Sequence, residues 1–93
     1  MLDDLTLPDG VVLVRTTPTF DTSSMPAGLR QAHRVATGVW GLLRVLDGEV
    51  VFVMETTGER RTVAAGEEQV IPPDADHHVE PSAEARFEVA FYR

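Results

Sequence analysis

The chain has 93 residues, 43% of them hydrophobic and 25% charged, which is typical of one small globular domain over residues 1–93. Fifteen acidic residues outnumber eight basic ones, and the net charge of -7 disfavours binding to nucleic acid or to an anionic membrane. Because there is no cysteine, disulfides, thiolate metal sites and cysteine catalysis are excluded. An acidic start and the lack of a membrane-spanning apolar run predict a cytoplasmic protein.

The first third of the chain predicts extended structure interrupted by turns. Residues 1–10 are expected to form a lead-in that ends in a Pro-Asp-Gly turn. The β-branched run at residues 11–15 predicts a strand, whereas residues 16–27, rich in threonine, serine and proline, predict an extended arm or loop. Residues 29–35 alternate between faces, which predicts a strand. The side chains expected to point inward are Leu29, Gln31, His33 and Val35.

Asp47-Gly48 separates two apolar segments, residues 39–46 and 49–55, and therefore predicts a β-hairpin, since both turn residues tolerate positive φ. Both faces of these segments are apolar, so we expect the hairpin to be central to the core. Further strands are predicted at residues 60–64 (a polar edge strand), 69–71, 77–80 and 86–93. About eight short strands punctuated by glycine and proline, with no convincing helix, predict an all-β barrel or sandwich.

Residues 66–81 form the predicted functional corner. Here a glycine turn and a short apolar strand lead into Pro72-Pro73, and then His77 and His78 begin another strand. Two of the three histidines of the chain lie in this segment, next to several carboxylates. The segment therefore combines a rigid backbone with many potential metal ligands.

The order of these signals resembles the cupin pattern. Gly66, Pro72 and His77 fit the second cupin motif, which ends in a metal-ligand histidine, and Asp74 stands where that motif has its middle glycine. More closely, the chain resembles the small cupin-like family found alone or attached to tellurite-resistance proteins (TehB/YeaR-like), from about Leu7 to the end. The matching stretches are residues 26–29, His33, 38–41, 45–48, 71–73, 77–81 and 87–93.

The resemblance implies a cupin-like jelly-roll β-barrel, commonly a homodimer, with any site inside the mouth of the barrel. The first cupin motif departs from the usual pattern, because its glutamate position falls on Gly41 and its histidine pair falls near residues 34–37, where there is none. Only His33 lies close. A full site of three histidines and one glutamate is therefore absent, and whether the protein is an enzyme remains open.

His33 and His77 are the predicted metal pair, because both are expected to face inward and imidazole binds transition metals such as Zn, Fe, Ni or Mn. Gln31, on the same face as His33, would supply an oxygen. His78 and Glu80 share the opposite face and would become the ligands if the barrel twist reversed that assignment. The alternative is a core histidine bonded to a backbone carbonyl, with a polar rim at residues 77–78. The residues alone favour the core histidine over the metal pair. With the resemblance, the two interpretations carry equal weight.

Trp40 and Arg44 are the remaining ligand-binding candidates. Trp40 would line a pocket and Arg44 would pair with a ligand carboxylate, although a packing role and a surface position are the alternatives. The leading functional hypothesis is a cupin-like protein that binds a divalent metal or a small polar ligand, and is a metal-dependent enzyme if the metal is catalytic. The rival hypotheses are a non-catalytic binding or sensing module of the tellurite-resistance type without metal, and a purely structural dimer unit.

Overall fold

The computed structural model describes residues 1–30 and 33–93, and in these residues the chain forms two antiparallel β-sheets. The strands are β1 (Leu13–Thr16), β2 (Phe20–Asp21), β3 (Trp40–Asp47), β4 (Glu49–Met54), β5 (Glu59–Ala64), β6 (Glu68–Ile71), β7 (His77–Pro81) and β8 (Arg86–Tyr92). Two short 3-10 helices, Leu2–Asp4 and Ala27–Arg30, accompany them. No helix in this described part is long or apolar enough to cross a membrane.

The larger sheet is organised around β8, which pairs with β1, β2 and β3, while β3 also pairs with β6. The smaller sheet has the order β5-β4-β7, so the polar strand β5 lies at an edge, as its sequence predicts. Within the described ranges, no pairing of strands joins the two sheets. The predicted all-β class is therefore confirmed, whereas the sheets are not closed into a barrel by hydrogen bonds.

The predicted hairpin at Asp47-Gly48 is wrong, because β3 and β4 belong to different sheets. Gly48 has a φ of 63°, and a Cβ atom there would lie 2.7 Å from Ser82 Oγ and 3.0 Å from the backbone of Ala85. Only glycine fits this crossing without displacing its neighbours. The pattern located a turn correctly, but tertiary packing carries the chain across to the opposite sheet. The hairpin of the smaller sheet instead joins β4 to β5, with Gly58 at a φ of 76°.

The core lies between the sheets, as expected for the two-faced apolar strands. Its most deeply buried apolar side chains are Leu43, Val45, Val50, Phe52, Val63 and Phe87. Leu2, which lies in the expected lead-in, is only 5% exposed, and its carbonyl oxygen accepts a hydrogen bond of 2.9 Å from buried Gln69 Nε2. The first residues are thus part of the packed domain. A smaller cluster on the outer face of the larger sheet comprises Leu42, Val70 and Ala90, with Leu5, Leu7, Trp40 and Tyr92 against it.

The predicted strand at residues 29–35 is wrong at its start, where Leu29 belongs to the 3-10 helix Ala27–Arg30. Pro26 explains the difference: its carbonyl oxygen accepts a hydrogen bond from the Leu29 N–H, which closes a turn. Residues 31–32 lie outside the described residues, and His33 makes only an isolated bridge to His77. The expected facing is nevertheless confirmed for Val35, which is 4% exposed, and for Leu29, which packs against the core.

Candidate functional site

The predicted functional corner has the backbone that its spacing implies. Gly66 has a φ of 88°, and Asp74, where the cupin motif has glycine, adopts a φ of 62°. Aspartate is one of the few side chains that tolerate this left-handed conformation. Its backbone N–H donates to the Val35 carbonyl oxygen (3.0 Å), and its Oδ1 accepts from the Thr37 hydroxyl (2.7 Å). These bonds dock the corner against the segment that carries His33.

The structure brings together the two histidines that the sequence predicts as a pair. His33 and His77 exchange two backbone hydrogen bonds, of 2.8 Å and 2.9 Å. Their ring centroids are 5.3 Å apart, with an interplanar angle of 78°. The ring of His77 also stacks on Phe52, at 5.3 Å and 28°. His77 is thus the inward-facing member of the His77-His78 pair, a choice that the sequence left open.

The half-buried imidazole of His33 and the buried imidazole of His77 differ in their hydrogen bonding. His77 is 2% exposed, and burial lowers its pKa, so the ring is neutral at pH 7. Its Nδ1 lies 3.3 Å from the carbonyl oxygen of Ala75, which suits the tautomer with the proton on Nδ1. The Nδ1 of His33 is buried and has no hydrogen-bond partner among the described residues. A buried polar atom without a partner is costly unless a ligand or water satisfies it.

Beside these rings lies a cavity of about 220 Å³, hereafter the inter-sheet cavity. The residues that line it are Arg15, Thr17, Phe20, Pro26, Gly28, Leu29, His33, Val35, Ile71, His77, Val89 and Phe91. Most of these side chains are apolar, and none of the described residues in the lining is acidic. The guanidinium of Arg15 lies 5.2 Å from the centroid of the Phe91 ring. This combination of apolar walls and a few polar groups is typical of small-molecule sites.

His78 and Glu80 lie on the outer face of the smaller sheet, away from this cavity. His78 Nδ1 is 3.1 Å from Glu55 Oε2, and His78 Nε2 is 2.7 Å from Glu80 Oε2. Glu80 also accepts a hydrogen bond of 2.8 Å from Arg60. The hydrogen bond to Glu80 is the main reason why the pKa of His78 is raised, and the same bond lowers the pKa of Glu80. These two residues form part of a surface ion-pair network.

The remaining sequence candidates are not brought to the cavity. Trp40 is half-buried in the outer cluster of the larger sheet. Arg44, four residues further along β3, pairs its Nε with Glu68 Oε2 at 2.7 Å. Gln31 lies outside the described residues. Of the predicted ligand-binding side chains that the structure describes, only His33 and His77 therefore line the inter-sheet cavity.

Arg15, Leu29 and Phe91 line the cavity but were not predicted as site residues. In the sequence, Arg15 ends an apolar run, and Phe91 falls on the inward face of the last strand with Phe87 and Val89. These patterns predicted strands and gave no sign of a binding role for either residue. Their meeting depends on the register between β1 and β8, in which Arg15 is opposite Phe91. No local pattern encodes a pairing between residues so far apart in the chain.

A metal at this site would have an incomplete set of protein ligands. Among residues 1–30 and 33–93, no group of three or more histidine, aspartate or glutamate side chains could hold a metal ion. A catalytic zinc site ordinarily has three protein ligands, and His33 with His77 supplies two. The described residues therefore supply two of the three protein ligands that such a site needs.

Comparison with known proteins identifies a family and several similar solved structures, two of which are described here. The family model for the TehB-like domain matches residues 15–89. A crystal structure of a protein from E. coli strain K12 is 24% identical with a TM-score of 0.90, and the alignment covers 96% of each chain. The crystal structure of TehB from Haemophilus influenzae is 22% identical with a TM-score of 0.80, over 90% of this chain and 32% of that one. At these identities the structures show the fold alone, and no curated protein matches significantly.

Proposed function

Because the chain belongs to the TehB-like domain family, we propose that it is a non-catalytic binding module, associated with tellurite-resistance proteins, that holds a small organic ligand between its sheets. The observation that carries this proposal is the inter-sheet cavity beside the Nδ1 of His33, which has no hydrogen-bond partner among residues 1–30 and 33–93. Apolar walls would supply the affinity, and the imidazole would supply one oriented hydrogen bond. The match spans only 32% of the TehB chain from Haemophilus influenzae, so no activity of that longer protein is assigned to this chain.

The packing of the domain supports a binding role for the cavity. The inter-sheet cavity of about 220 Å³ is partly open to solvent, and its apolar walls lack the contacts that a close-packed core would make. The buried Nδ1 of His33 adds a second cost at the same place. A bound ligand removes both costs, and the cavity is large enough for a single ring, because benzene occupies an apolar cavity of roughly 150 Å³.

Filling the cavity tests this function. Gly28 lines the cavity, a Cβ atom there would have no neighbour within 4 Å, and the residue is not in the left-handed region, so Gly28→Leu adds bulk to the lining without backbone strain. Ala27→Leu, in the same 3-10 helix but outside the cavity lining, is the matched control. The probe is a panel of single-ring and short-chain compounds, followed by NMR chemical shifts of Val89, Phe91 and His77.

We expect wild type and Ala27→Leu to bind members of this panel and Gly28→Leu to lose binding while remaining folded. The proposal is wrong if no compound shifts these signals in the wild type. It is also wrong if Gly28→Leu binds as tightly as Ala27→Leu, because the ligand would then lie elsewhere.

A metal-binding function is the second candidate, favoured by the facing imidazoles and the free Nδ1 of His33. Elemental analysis after reconstitution with Zn, Fe, Ni and Mn tests it. One equivalent of metal that is lost in His33→Ala, but kept in His78→Ala on the other face, would support a metal site. Wild type that holds less than a tenth of an equivalent under all four conditions would reject it.

The finer assignments of fold and assembly also belong to this proposal. A cupin-type jelly roll is supported by two packed antiparallel sheets of eight described strands and by the spacing of Gly66, Pro72 and His77.

A homodimer is supported by the edge strand β1, beside which Val12 is 65% exposed and within which Leu13 is 56% exposed. Light scattering that gives a dimer mass for wild type and a monomer mass for Leu13→Lys would support it, and a wild-type monomer would reject it. We also propose a cytoplasmic location.

A further inference from the structure

A depression of about 290 Å³ adjoins the inter-sheet cavity and shares part of its lining. The shared residues are Arg15, His33, Val35 and Phe91. Arg34 and Arg93 also line it, and none of the described lining residues is an aspartate or a glutamate. Three arginines therefore line a depression that shares part of its lining with the apolar cavity.

This concentration of positive charge is unusual for the molecule as a whole, which carries a net charge of -7. Two other surface depressions both contain carboxylates beside their arginines, for example Glu59 with Arg60 in one and Glu68 with Arg61 in the other. The basic character of the depression beside the cavity is thus a local property and not a consequence of overall composition.

The arginines also differ in their partners. Away from the depression, each arginine with a described side chain has a carboxylate within 4.0 Å: Arg44 has Glu68, Arg60 has Glu80, Arg61 has Glu67, and Arg86 has Asp47. Within the depression, Arg34 pairs with Asp76 at 2.8 Å. Arg15 and Arg93 have no ion pair with any described carboxylate. Among the arginines whose side chains are described, the two without a counter-charge thus line the same depression.

Arg15 is also held in place. It lies opposite Phe91 in the pairing of β1 with β8, and its guanidinium is 5.2 Å from the centroid of the Phe91 ring. Stacking on an aromatic ring orients a guanidinium while leaving its N–H groups free to donate. The planar fork of donors matches a carboxylate or another small oxyanion.

Resting on the proposed binding function, we infer that the ligand is a small organic anion. Its apolar body, a single ring or a short alkyl chain, lies in the inter-sheet cavity, and its carboxylate lies in the depression against Arg15 and Arg93. His33, which lines both spaces, donates to or accepts from the ligand at the junction through its free Nδ1.

Matched pairs of charged and neutral compounds test the inference: benzoate against benzamide, and hexanoate against hexanamide. Affinities come from NMR titration of the full chain at constant ionic strength, and the Nε–Hε signal of Arg15 reports contact with the anion. The variants are Arg15→Gln and, as a matched control, Arg86→Gln, whose ion pair with Asp47 lies outside both linings. Thermal melting checks that each variant is folded.

We expect the carboxylates to bind more tightly than the amides, and Arg15→Gln to weaken them by roughly tenfold to a hundredfold, as for a charge-assisted hydrogen bond. Arg15→Gln should bind the amides with the same affinity as wild type. Arg86→Gln should bind all four compounds as wild type does. The inference about charge is wrong if the carboxylate and the amide of each pair bind with equal affinity. If both also fail to bind Gly28→Leu, the proposed binding function of the cavity is still supported. Binding of neither member overturns both.

Discussion

His77 and His78 are neighbours in β7, yet they lie on opposite faces and do different things. His77 is 2% exposed, stacks on Phe52, and has a pKa lowered by burial. The side chain of His78 is 20% exposed, lies between Glu55 and Glu80, and has a raised pKa because these carboxylates stabilise its charged form. The comparison shows that the environment of each face, and not the residue type, makes one imidazole neutral and cavity-facing and the other part of an ion-pair network.

The largest expected effect comes from removing the wall against which His77 packs. Phe52 is fully buried, so Phe52→Ala should lower the free energy of unfolding by about 3–5 kcal/mol, measured by urea denaturation. Val51→Ala, at the adjacent position on the outer face, is the control and should cost about 1 kcal/mol. Similar losses for the two variants would contradict the contrast between the faces.

Replacing each histidine compares the faces directly. His77→Gln should destabilise by about 1–3 kcal/mol, because it disturbs a buried group in contact with Phe52 and His33. His78→Gln should cost below about 1 kcal/mol, since exposed ion pairs contribute little. Urea denaturation at pH 7 gives both values, and a larger loss for His78→Gln would reverse the assignment of the faces.

The corner before β7 offers a smaller perturbation. Asp74→Ala puts a residue with no local hydrogen bond into a conformation with a φ of 62°, which should cost about 1–2 kcal/mol. Asp74→Gly keeps the conformation and loses only the bond from Thr37, so it should cost less. The melting temperatures of the two variants measure this difference. If Asp74→Gly melted below Asp74→Ala, the left-handed backbone would not be the main contribution of Asp74 to stability.

The smallest expected effects are those of pH on stability, and the contributions of His77 and His78 should have opposite signs. The pKa of His77 in the folded state lies below the ordinary value of 6.5, so the unfolded chain takes up the proton first and stability is lost as pH falls below 6.5. The folded pKa of His78 lies above 6.5, so its contribution is full below that pH and is lost as pH rises through the folded pKa.

NMR titration of the two rings measures both pKa values directly. Comparing the pH dependence of stability in wild type with that in His78→Gln isolates the contribution of His78. The pKa of Glu80 is lowered from 4.5, so its contribution is lost only at more acidic pH and does not overlap this window. Identical titration of the two rings would remove the contrast altogether.

The sequence predicted that His33 and His77 lie together, but it left open the choice between the adjacent His77 and His78. Period-two alternation shows that His77 and His78 point to opposite sides, whereas which side is the core depends on register and sheet packing, and a shift of one residue exchanges them. The spacing of Gly66, Pro72 and His77 predicted the corner, and Asp74 adopts the conformation expected of the missing glycine. The facing of His33 was predicted through the alternation with Val35.

Other features were beyond local pattern. Asp47-Gly48 predicted a turn correctly, yet strands that are apolar on both faces carry no signal for which sheet they join. The 3-10 helix Ala27–Arg30 interrupted an alternation that resembled a strand. The meeting of Arg15 with Phe91 required the register of β1 on β8, which is a long-range property.

The position of β8 in the larger sheet has a consequence for how the domain is made. It is the last strand described, and it pairs with β1, β2 and β3 while Val89 and Phe91 line the inter-sheet cavity. During synthesis, β3 therefore emerges long before the strand that covers one of its edges. Until residues 86–92 leave the ribosome, the larger sheet cannot close around the cavity, and β3 is exposed to pairing with other chains. Folding dominated by such distant contacts is slow, so a nascent chain stalled before β8 would be prone to aggregate.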